Sequence, residues 1–315
     1  MLGHMSENNK WTASRIPDQT GRTFIVTGAN SGLGLATTRQ LARRGAHVIM
    51  AVRNEAKGRQ AIADLVDAQP AASLELRRLD LADLDSVRAF ADRIHAEGVL
   101  VDVLVNNAGV MMPPHALSPQ GHEIQFASNH LGHFALTGLL LDILQTAKNP
   151  RVVTVSSSLH RRGHIHFDDL TGSGKYSPIA FYAQSKFANV LFGLELDRRL
   201  RAAGSPVRSL LAHPGYSATN LQTSGPTGLM NLMGRLGNRL LAQDVEMGAL
   251  PQLYAATDPD AETGQFIGPD GPSENKGHPT VVRPVASAED PATAKRLWEI
   301  SEELTRVRYD LPAAV

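Results

Sequence analysis

The 315-residue sequence contains no cysteine. This absence excludes disulfide bonds, a thiol nucleophile and a thiolate-bound metal, and it is typical of a reducing compartment, so we expect a cytoplasmic protein. No apolar run reaches the length of about 18 residues that a membrane span needs, and the N-terminus lacks the basic-then-apolar order of a signal peptide, so no membrane anchor is expected. The formal net charge is zero, which argues against a nucleic-acid partner.

The composition is that of a globular chain with a substantial core. Hydrophobic residues make up 42% and charged residues 20% of the sequence. The first five residues, MLGHM, resemble a tag remnant, and we take residues 1–20 as this remnant followed by an N-terminal extension. Residues 21–315 are expected to form a single domain.

Short, apolar, β-branched runs alternate with helical patterns along this domain. Continuously apolar strands are typical of a parallel sheet covered on both faces, and repeated β-α-β alternation indicates a doubly wound fold. We therefore predict an α/β, Rossmann-type doubly wound parallel sheet of about seven strands with helices on both faces. The strand candidates are TFIVTG (23–28), AHVIMAVR (46–53), LELRRLDL (74–81), VDVLVNNAG (101–109), RVVTVSSS (151–158), VRSLLAHPG (207–215) and GQFIGP (264–269).

A polar loop rich in Gly and His, residues 159–180, interrupts the alternation. Its imidazole and carboxylate side chains raise the question of a metal site. Histidines at i and i+2 in a loop make poor metal geometry without supporting ligands, so we expect a hydrogen-bonded loop and no metal. The side chains concerned are His160, His164, His166, Asp168 and Asp169.

A second interruption is an insertion at about residues 216–245. Residues 226–242 within it are rich in Met and Leu at helical spacing. Core packing, a membrane-surface helix and a partner-binding element are alternative interpretations. Its position directly after the sixth strand candidate favours a small helical lid over a substrate.

The stretch VTGANSGLGLAT follows the first strand candidate and opens the first helical pattern. Its glycines, Gly28, Gly32 and Gly34, permit a tight turn and let backbone N–H groups approach a pyrophosphate at a helix N-terminus. A Gly-rich turn alone is weak evidence, but its place between strand and helix is the one this mechanism requires. The sequence therefore predicts a dinucleotide site.

The end of the second strand candidate indicates which dinucleotide binds. NAD sites usually place an acid about 20 residues after the glycines, against the ribose 2′-hydroxyl. Here the sequence reads MAVRN, with Arg53 and no acid. Because a guanidinium binds a 2′-phosphate through charge-assisted hydrogen bonds, we predict NADP(H). The alternative is an ordinary surface arginine.

The stretch FYAQSKFANV places Tyr182 and Lys186 four residues apart, on one face of a helix. Alone, such a pair is an ordinary helix contact. Beside a nicotinamide cofactor it can move a proton, because a phenol titrates at about pH 10 and a neighbouring ammonium favours its anion. We expect Lys186 to lower the pKa of Tyr182, and Tyr182 to act as the acid/base.

Together these motifs resemble the short-chain dehydrogenase/reductase superfamily over roughly residues 20–270. Its landmarks occur in order: Gly-x3-Gly-x-Gly, LDLAD, NNAG, SNHLGHF, VSSS, YAQSK and HPGYSATNL. The resemblance implies hydride transfer between a nicotinamide and a carbonyl or alcohol carbon. It also implies a catalytic set of Asn129, Ser157, Tyr182 and Lys186.

The resemblance assigns a role to each member of this set. Ser157 hydrogen-bonds the substrate oxygen, Lys186 also binds the nicotinamide ribose, and Asn129 holds a water of a proton relay. We choose Ser157 over its neighbours Ser156 and Ser158 because the family's serine stands second after the last apolar residue of the strand, here Val155.

The resemblance also implies cofactor contacts along one edge of the sheet. Asp80 contacts the adenine, the NNAG motif lines the cleft, and Thr219 meets the nicotinamide carboxamide together with the Pro-Gly turn. The expected cofactor-binding residues are Gly28, Asn30, Ser31, Gly32, Leu33, Gly34, Arg53, Asn54, Asp80, Leu81, Asn107, Ala108, Gly109, Tyr182, Lys186, Pro214, Gly215 and Thr219.

The segment between Ser157 and Tyr182 is longer than is usual in the superfamily. It resembles the retinol-dehydrogenase and oxidoreductase branch, which shares AVRN and NHLGHF. This branch implies a bulky apolar carbonyl or alcohol substrate. Two alternative functions stay open: reduction of a C=C bond, as in the related protochlorophyllide reductases, and a non-enzymatic NADP-binding redox sensor. Many relatives pair through the Tyr-Lys helix, so a homo-oligomer is an open expectation as well.

Overall fold

The computed structural model describes residues 10–215 and 244–311. In these ranges eight strands form one sheet with the order β3-β2-β1-β4-β5-β6-β7-β8. Strands β1 to β7 run parallel, and β8 pairs antiparallel with β7. The strands are β1 Thr23–Thr27, β2 His47–Val52, β3 Ser73–Arg78, β4 Val103–Asn106, β5 Arg151–Val155, β6 Arg208–Ala212, β7 Phe266–Pro269 and β8 Pro279–Val282. The prediction of a Rossmann-type α/β fold is confirmed.

Helices follow the strands along the chain and alternate with them. They are α1 Gly32–Arg43, α2 Glu55–Ala68, α3 Leu84–Ala96, α4 Ile124–Phe126, α5 Gly132–Leu139, α6 Leu141–Thr146, α7 Pro178–Ala202, α8 Val245–Thr257 and α9 Pro291–Thr305. A π-helical segment, Ala127–Leu131, joins α4 to α5. Among the residues that the structure describes, no helix combines the length and the apolar character needed to cross a membrane.

The sheet is buried on both faces. In β1, Phe24 and Val26 pack into one core cluster, whereas Ile25 between them packs into the other. Because successive side chains of a strand point to opposite faces, this division places a core on each side of the sheet. Helices α1, α2 and α8 contribute to the first core, and α3, α5, α7 and α9 contribute to the second. The continuously apolar strands of the sequence are explained by this double burial.

The expected number of about seven strands is exceeded by one. Strand β8 has the sequence PTVV, and its two central residues, Thr280 and Val281, are exposed. An exposed strand of four residues that begins with proline carries neither a continuous apolar run nor a clear alternation, so it escapes sequence patterns.

Part of the N-terminal extension belongs to the folded core. Trp11 and Ile16 are buried in the same cluster as α1 and α8. The indole Nε1 of Trp11 donates a hydrogen bond to Asp258, which directly follows α8. Residues 10–20 therefore pack against the domain that we expected to begin at residue 21.

The strand order reverses next to β1, which lies between β2 and β4. At such a point the loops that leave the two neighbouring strands diverge to opposite faces, and a crevice opens at the carboxyl ends of the strands. The lid predicted at about residues 216–245 lies, apart from its last two residues, outside the described residues.

Helix α9 covers one face of α7. Trp298 of α9 is 2% exposed and lies with its ring 5.9 Å from that of Phe192 in α7 and 5.1 Å from that of Phe134 in α5. Tyr309 completes this aromatic cluster at 4.5 Å from Trp298. Two copies of the chain can pair through this face of α7 only if α9 leaves it.

We expect the substitution Trp298→Ala to lower the free energy of unfolding by about 3–5 kcal/mol, because it removes a buried aromatic side chain and leaves a cavity. Urea denaturation followed by circular dichroism measures this difference. The exposed residue Lys295 on the same helix provides the control, since Lys295→Ala should change stability by no more than about 0.5 kcal/mol. Equal effects of the two substitutions would show that α9 contributes little to the fold.

Candidate active site

The loop between β1 and α1 is tightly closed. Gly28 has a φ of +67°, in the left-handed region that favours glycine. A Cβ added to Gly34 would lie 2.4 Å from the carbonyl oxygen of Gly28 and 2.6 Å from Nδ2 of Asn107. The first turn of α1 contains no acidic side chain, and Ser31 at its N-cap makes no side-chain capping bond. The positive end of α1 thus faces the crevice with backbone N–H groups.

A groove at the carboxyl ends of the strands begins at this loop. Eleven of the predicted cofactor-binding residues line it: Gly28, Ser31, Gly32, Leu33, Gly34, Arg53, Asp80, Leu81, Asn107, Ala108 and Gly109. Five further residues line it that the sequence did not indicate: Ala51, Leu79, Ala82, Val110 and Ser128. Three of these five, Leu79, Ala82 and Val110, are adjacent in the chain to predicted groove residues, and Ala51 lies two residues before Arg53, so an inspection of the residues around each strand end could have found them.

The other predicted cofactor-binding residues lie around the groove or outside the described residues. Asn54 caps α2 by accepting a hydrogen bond from the Lys57 N–H at 3.0 Å, and Asn30 is half-buried in the glycine loop. Pro214 and Gly215 follow β6 at the carboxyl end of the sheet. Thr219 falls outside the described residues.

Helix α7 carries Tyr182 and Lys186 into the interior. It begins at Pro178, and Ser177 caps it by accepting from the Ala180 N–H. Tyr182 is 5% and Lys186 4% exposed, and Lys186 Nζ lies 5.9 Å from the centre of the Tyr182 ring. Such burial is not that of an ordinary surface pair on a helix.

The carbonyl oxygen of Val155 and the glycine at position 109 determine the surroundings of the Lys186 ammonium. Lys186 Nζ donates to the carbonyl oxygen of Val155, the last residue of β5, at 3.2 Å. A Cβ added to Gly109 would lie 3.4 Å from Lys186 Nζ and 3.2 Å from Oδ1 of Asn129. The absence of a side chain at Gly109 therefore keeps both polar groups next to the cofactor groove.

Burial governs the proton affinities of the pair. It raises the pKa of Tyr182 to about 12, opposed by a hydrogen bond with Ser157 that lowers it. Burial also lowers the pKa of Lys186 to about 8. We expected the lysine charge to lower the pKa of the phenol; for the atoms of the chain itself desolvation is the larger effect, so the phenol holds its proton at neutral pH.

The first two of the three consecutive serines after β5, Ser156 and Ser157, have different side-chain partners. Hydrogen bonding to Ser157 lowers the pKa of Tyr182, and the Ser157 hydroxyl accepts from the Leu159 N–H at 3.2 Å. Ser156 is buried, and its hydroxyl donates to the Lys186 carbonyl at 2.8 Å. Of these two serines, it is Ser157 whose side chain meets the phenol.

Asn129 lies in the π-helical segment between α4 and α5. Its Oδ1 accepts from the Val110 N–H at 2.7 Å, and its Nδ2 donates to the Val110 carbonyl and to the Ser185 hydroxyl, each at 2.9 Å. Short π-helical segments occur often at functional sites because they redirect one side chain. Here the segment fixes the loop after β4 to α7, while the water relay through Asn129 stays a prediction.

The His-rich loop is held by hydrogen bonds and ring contacts. The rings of His164 and His166 lie 4.0 Å apart, and His166 stacks on Phe181. Asp169 accepts from the backbone N–H groups of Ser173 and Gly174. Within residues 10–215 and 244–311, no three His, Asp or Glu side chains come together as a metal-binding group.

Comparison with known families matches the short chain dehydrogenase model to residues 22–228. The chain belongs to the short-chain dehydrogenase family. It is therefore an oxidoreductase acting on CH–OH or C=O groups with a nicotinamide cofactor.

Similar proteins place this short-chain dehydrogenase in the retinol-dehydrogenase-like branch. Human retinol dehydrogenase 13 is 42% identical over 290 residues, covering 90% of this chain and 84% of that protein. Mouse polyprenol dehydrogenase is 39% identical over 296 residues, covering 92% and 85%. The crystal structure of an uncharacterized protein from Mycobacterium paratuberculosis has a TM-score of 0.80 and 47% identity, covering 96% of this chain and all of that one.

A structure described as a candidate NAD(P) dependent gluconate 5-dehydrogenase from Beutenbergia cavernae is more distant. It is 26% identical with a TM-score of 0.61, and the match covers 78% of this chain and 93% of that one. That structure contains NADP at low occupancy.

The short-chain dehydrogenase should become more stable when its buried ammonium is removed. The lowering of the Lys186 pKa from 10.5 to about 8 corresponds to about 3 kcal/mol. This penalty is fully present below pH 8 and is lost as the pH rises towards 10.5, because only the unfolded chain then binds the proton. We expect Lys186→Met to raise the free energy of unfolding by about 3 kcal/mol at neutral pH and by about 1 kcal/mol at pH 10.

Urea denaturation at both pH values measures this effect. Lys295→Met on the exposed face of α9 is the control, for which the difference from the unsubstituted chain should not depend on pH. A Lys186→Met chain that is less stable at neutral pH would show that the contacts of the ammonium outweigh its desolvation.

Proposed function

We propose that the chain is an NADP(H)-dependent oxidoreductase that transfers hydride between the nicotinamide and a carbonyl or alcohol carbon of a bulky apolar substrate, with Tyr182 as the acid/base. The observation that carries the proposal is a buried phenol and a buried ammonium on one helix, with Lys186 Nζ 3.4 Å from the Cβ position of Gly109, a residue of the groove that begins at the glycine loop. Each of these groups has a separate part in such a reaction.

The glycine loop and Arg53 support NADP(H) as the cofactor. The loop has no room for a Cβ at Gly34, and it opens on the N-terminus of α1, which suits a pyrophosphate. Arg53 is exposed at the end of β2 and lines the same groove. A guanidinium at this position suits the 2′-phosphate of NADP(H) and replaces the acid that is typical of NAD sites.

When bound, the cofactor supplies or accepts the hydride. The residues of the chain manage the proton and the charge. Tyr182 donates a proton to the substrate oxygen or accepts one from it, and Ser157 hydrogen-bonds the same oxygen. Lys186 places a positive charge within one helical turn of the phenol and binds the nicotinamide ribose, while Asn129 anchors the proton relay behind it.

The pKa of Tyr182 bears on its role as a proton donor. With a pKa of about 12 the phenol is protonated at neutral pH and is ready to act as a donor. The reverse reaction needs the phenolate, which becomes more abundant as the pH rises. Because oxidation of an alcohol carbon also releases a proton, we infer that oxidation gains relative to reduction as the pH rises.

Two observations support an apolar substrate. The loop after β4 continues from the groove with Val110, Met111 and Met112, all half-buried. The names of two relatives, retinol dehydrogenase and polyprenol dehydrogenase, contain apolar alcohols. The lid, the homo-oligomer and the cytoplasmic location stay predictions from the sequence.

Substitution of Arg53 tests the cofactor. We expect the chain to bind NADPH more tightly than NADH. Arg53→Ala should lower the affinity for NADPH by a factor of about 10 to 150, since a hydrogen bond to a charged group contributes about 1.5–3 kcal/mol. NADH binding should hardly change. Fluorescence titration with both cofactors measures the affinities.

Arg59 on α2 is the matched control, because it is exposed but does not line the groove. Arg59→Ala should leave both affinities unchanged. Equal binding of NADPH and NADH by the unsubstituted chain would refute the preference for NADP(H).

Substitution of Tyr182 tests the chemistry. A screen of NADPH oxidation with aldehydes, ketones, quinones and enones identifies the best substrate, and we expect long apolar carbonyl compounds to exceed short polar ones. Tyr182→Phe should then lower kcat by at least about 100-fold while NADPH still binds, because the ring is kept and only the proton donor is lost. The steady-state rate of NADPH consumption, followed by absorbance at saturating substrate, gives kcat.

The outcomes of this screen separate the competing functions. Retention of most of the activity by Tyr182→Phe would assign the proton to another group. Turnover of enones at the C=C bond alone would favour the double-bond reductase, and tight NADPH binding without turnover of any substrate would favour the redox sensor.

A further inference from the structure

Two buried histidines lie behind the candidate active site, and the proposed chemistry uses neither of them. His160 and His213 are each 0% exposed, and their rings lie 6.5 Å apart. His160 follows Ser157 in the turn Ser158–Arg162, and His213 directly precedes the Pro214–Gly215 turn. His213 is therefore adjacent in the chain to a predicted site residue, and His160 lies three residues after another.

The hydrogen bonds of His213 fix its tautomer. Its Nδ1 accepts from the Gly215 N–H at 3.3 Å, so the ring proton sits on Nε2, which lies 2.9 Å from Oε2 of Glu274. A Cβ at Gly268 in β7 would lie 2.3 Å from this Nε2, so the glycine makes room for the ring. His213 thus connects the Pro214–Gly215 turn to a single carboxylate.

The same carboxylate also reaches the serine segment. Oε1 of Glu274 accepts from Nη2 of Arg161 at 2.7 Å, and Arg161 lies four residues after Ser157. The hydrogen bond from His213, with that from Arg161, lowers the pKa of Glu274 to about 2, so the carboxylate is charged throughout the neutral range. Glu274 is therefore a shared acceptor for two segments that come from different strands.

The segment that carries Glu274 also contacts Ser157 through His160. The Val285 N–H donates to Nε2 of His160 at 3.3 Å, so Nδ1 of this ring carries the proton and donates to the carbonyl oxygen of Ser157 at 2.7 Å. Arg161 additionally donates to the carbonyl of Arg283 at 3.1 Å. The chain from Glu274 to Val285, which contains β8, thus braces the backbone of Ser157.

The backbone at Glu274 is unusual for its residue types. Ser273 and Glu274 have φ values of 54° and 55°, both left-handed and neither glycine. Such conformations persist only where surrounding contacts enforce them, and they concentrate at functional sites. Gly215 faces the same turn, because a Cβ there would lie 2.4 Å from the carbonyl oxygen of Asn275.

We propose that Glu274 is a positioning residue that acts through His213 on the Pro214–Gly215 turn and through Arg161 on Ser157. By holding both segments, it keeps the nicotinamide end of the cofactor and the substrate oxygen in register. The proposal rests on the proposed NADP(H)-dependent function, since it assigns the Pro214–Gly215 turn to the nicotinamide.

The test compares NADPH with 2′,5′-ADP, a fragment that lacks the nicotinamide. We expect Glu274→Ala to weaken NADPH by about tenfold or more in calorimetric titration, while the affinity for 2′,5′-ADP stays within about twofold. The kcat for the best carbonyl substrate should fall as well, because Ser157 loses its brace. The NADPH affinity and kcat of Glu274→Gln should lie between those of the unsubstituted chain and of Glu274→Ala, since the amide oxygen of the glutamine still accepts from His213.

Glu97→Ala is the matched control. Glu97 is an exposed glutamate at the end of α3 that pairs with Arg77 of β3, far along the sheet from β6 and β7. This substitution should leave both affinities and kcat unchanged. Hydrogen exchange of the Gly215 amide provides a readout that needs no ligand, and it should accelerate in Glu274→Ala and not in Glu97→Ala.

Failure of the Glu274 proposal can be distinguished from failure of the NADP(H)-dependent function. Equal weakening of NADPH and 2′,5′-ADP by Glu274→Ala overturns the proposal, because it indicates a general loss of structure, and so does an unchanged NADPH affinity. If the unsubstituted chain binds neither ligand, the NADP(H) function fails. Faster exchange of Gly215 in Glu274→Ala then still supports the link through His213, and unchanged exchange overturns it.

Discussion

The carbonyl oxygen of Val155 is the acceptor on which the candidate active site depends. It ends β5, and it receives Lys186 Nζ at 3.2 Å and Asn189 Nδ2 at 3.1 Å, both from α7. This one oxygen offsets part of the desolvation of the ammonium and fixes α7 against the end of the sheet. The position of Tyr182 on α7 and of Ser157 two residues beyond Val155 follows from this contact. Two other elements also contact α7. The π-helical segment links α7 to the loop after β4, and α9 covers the side of α7 that carries Phe192.

Local patterns were sufficient to predict the parts of the site that lie close together in the chain. The alternation of Phe24, Ile25 and Val26 between two cores is a direct result of strand geometry, so an apolar run predicts a doubly covered strand. The glycine loop is equally local, because the crowding of Gly34 against Gly28 arises within one strand–turn–helix unit. Many of the predicted cofactor-binding residues line one groove for this reason: parallel strands bring their carboxyl ends to one edge of the sheet, whatever the intervening helices contain.

Contacts between distant segments could not be predicted in the same way. Helix α7 is covered partly by α9, whose Trp298 packs on Phe192 from more than 100 residues later in the chain. Trp11 reaches the core only through its contact with Asp258. The pair of His213 and Glu274 likewise joins β6 to the segment before β8, a strand with no recognisable pattern. In each case the sequence contains both partners, but neither spacing nor periodicity connects them.

Strand β8 also forms one edge of the described sheet. A parallel sheet that ended at β7 would present a buried-type apolar strand, Phe266–Pro269, as an open edge to other molecules. The antiparallel β8 covers this edge with four residues, the first of which, Pro279, has no N–H to offer a neighbouring strand, and Pro284 follows shortly after it. Such a short, proline-bounded border is a poor template for intermolecular strand pairing. The segment that carries Glu274 and β8 therefore also protects this side of the molecule from polymerisation and amyloid-like aggregation.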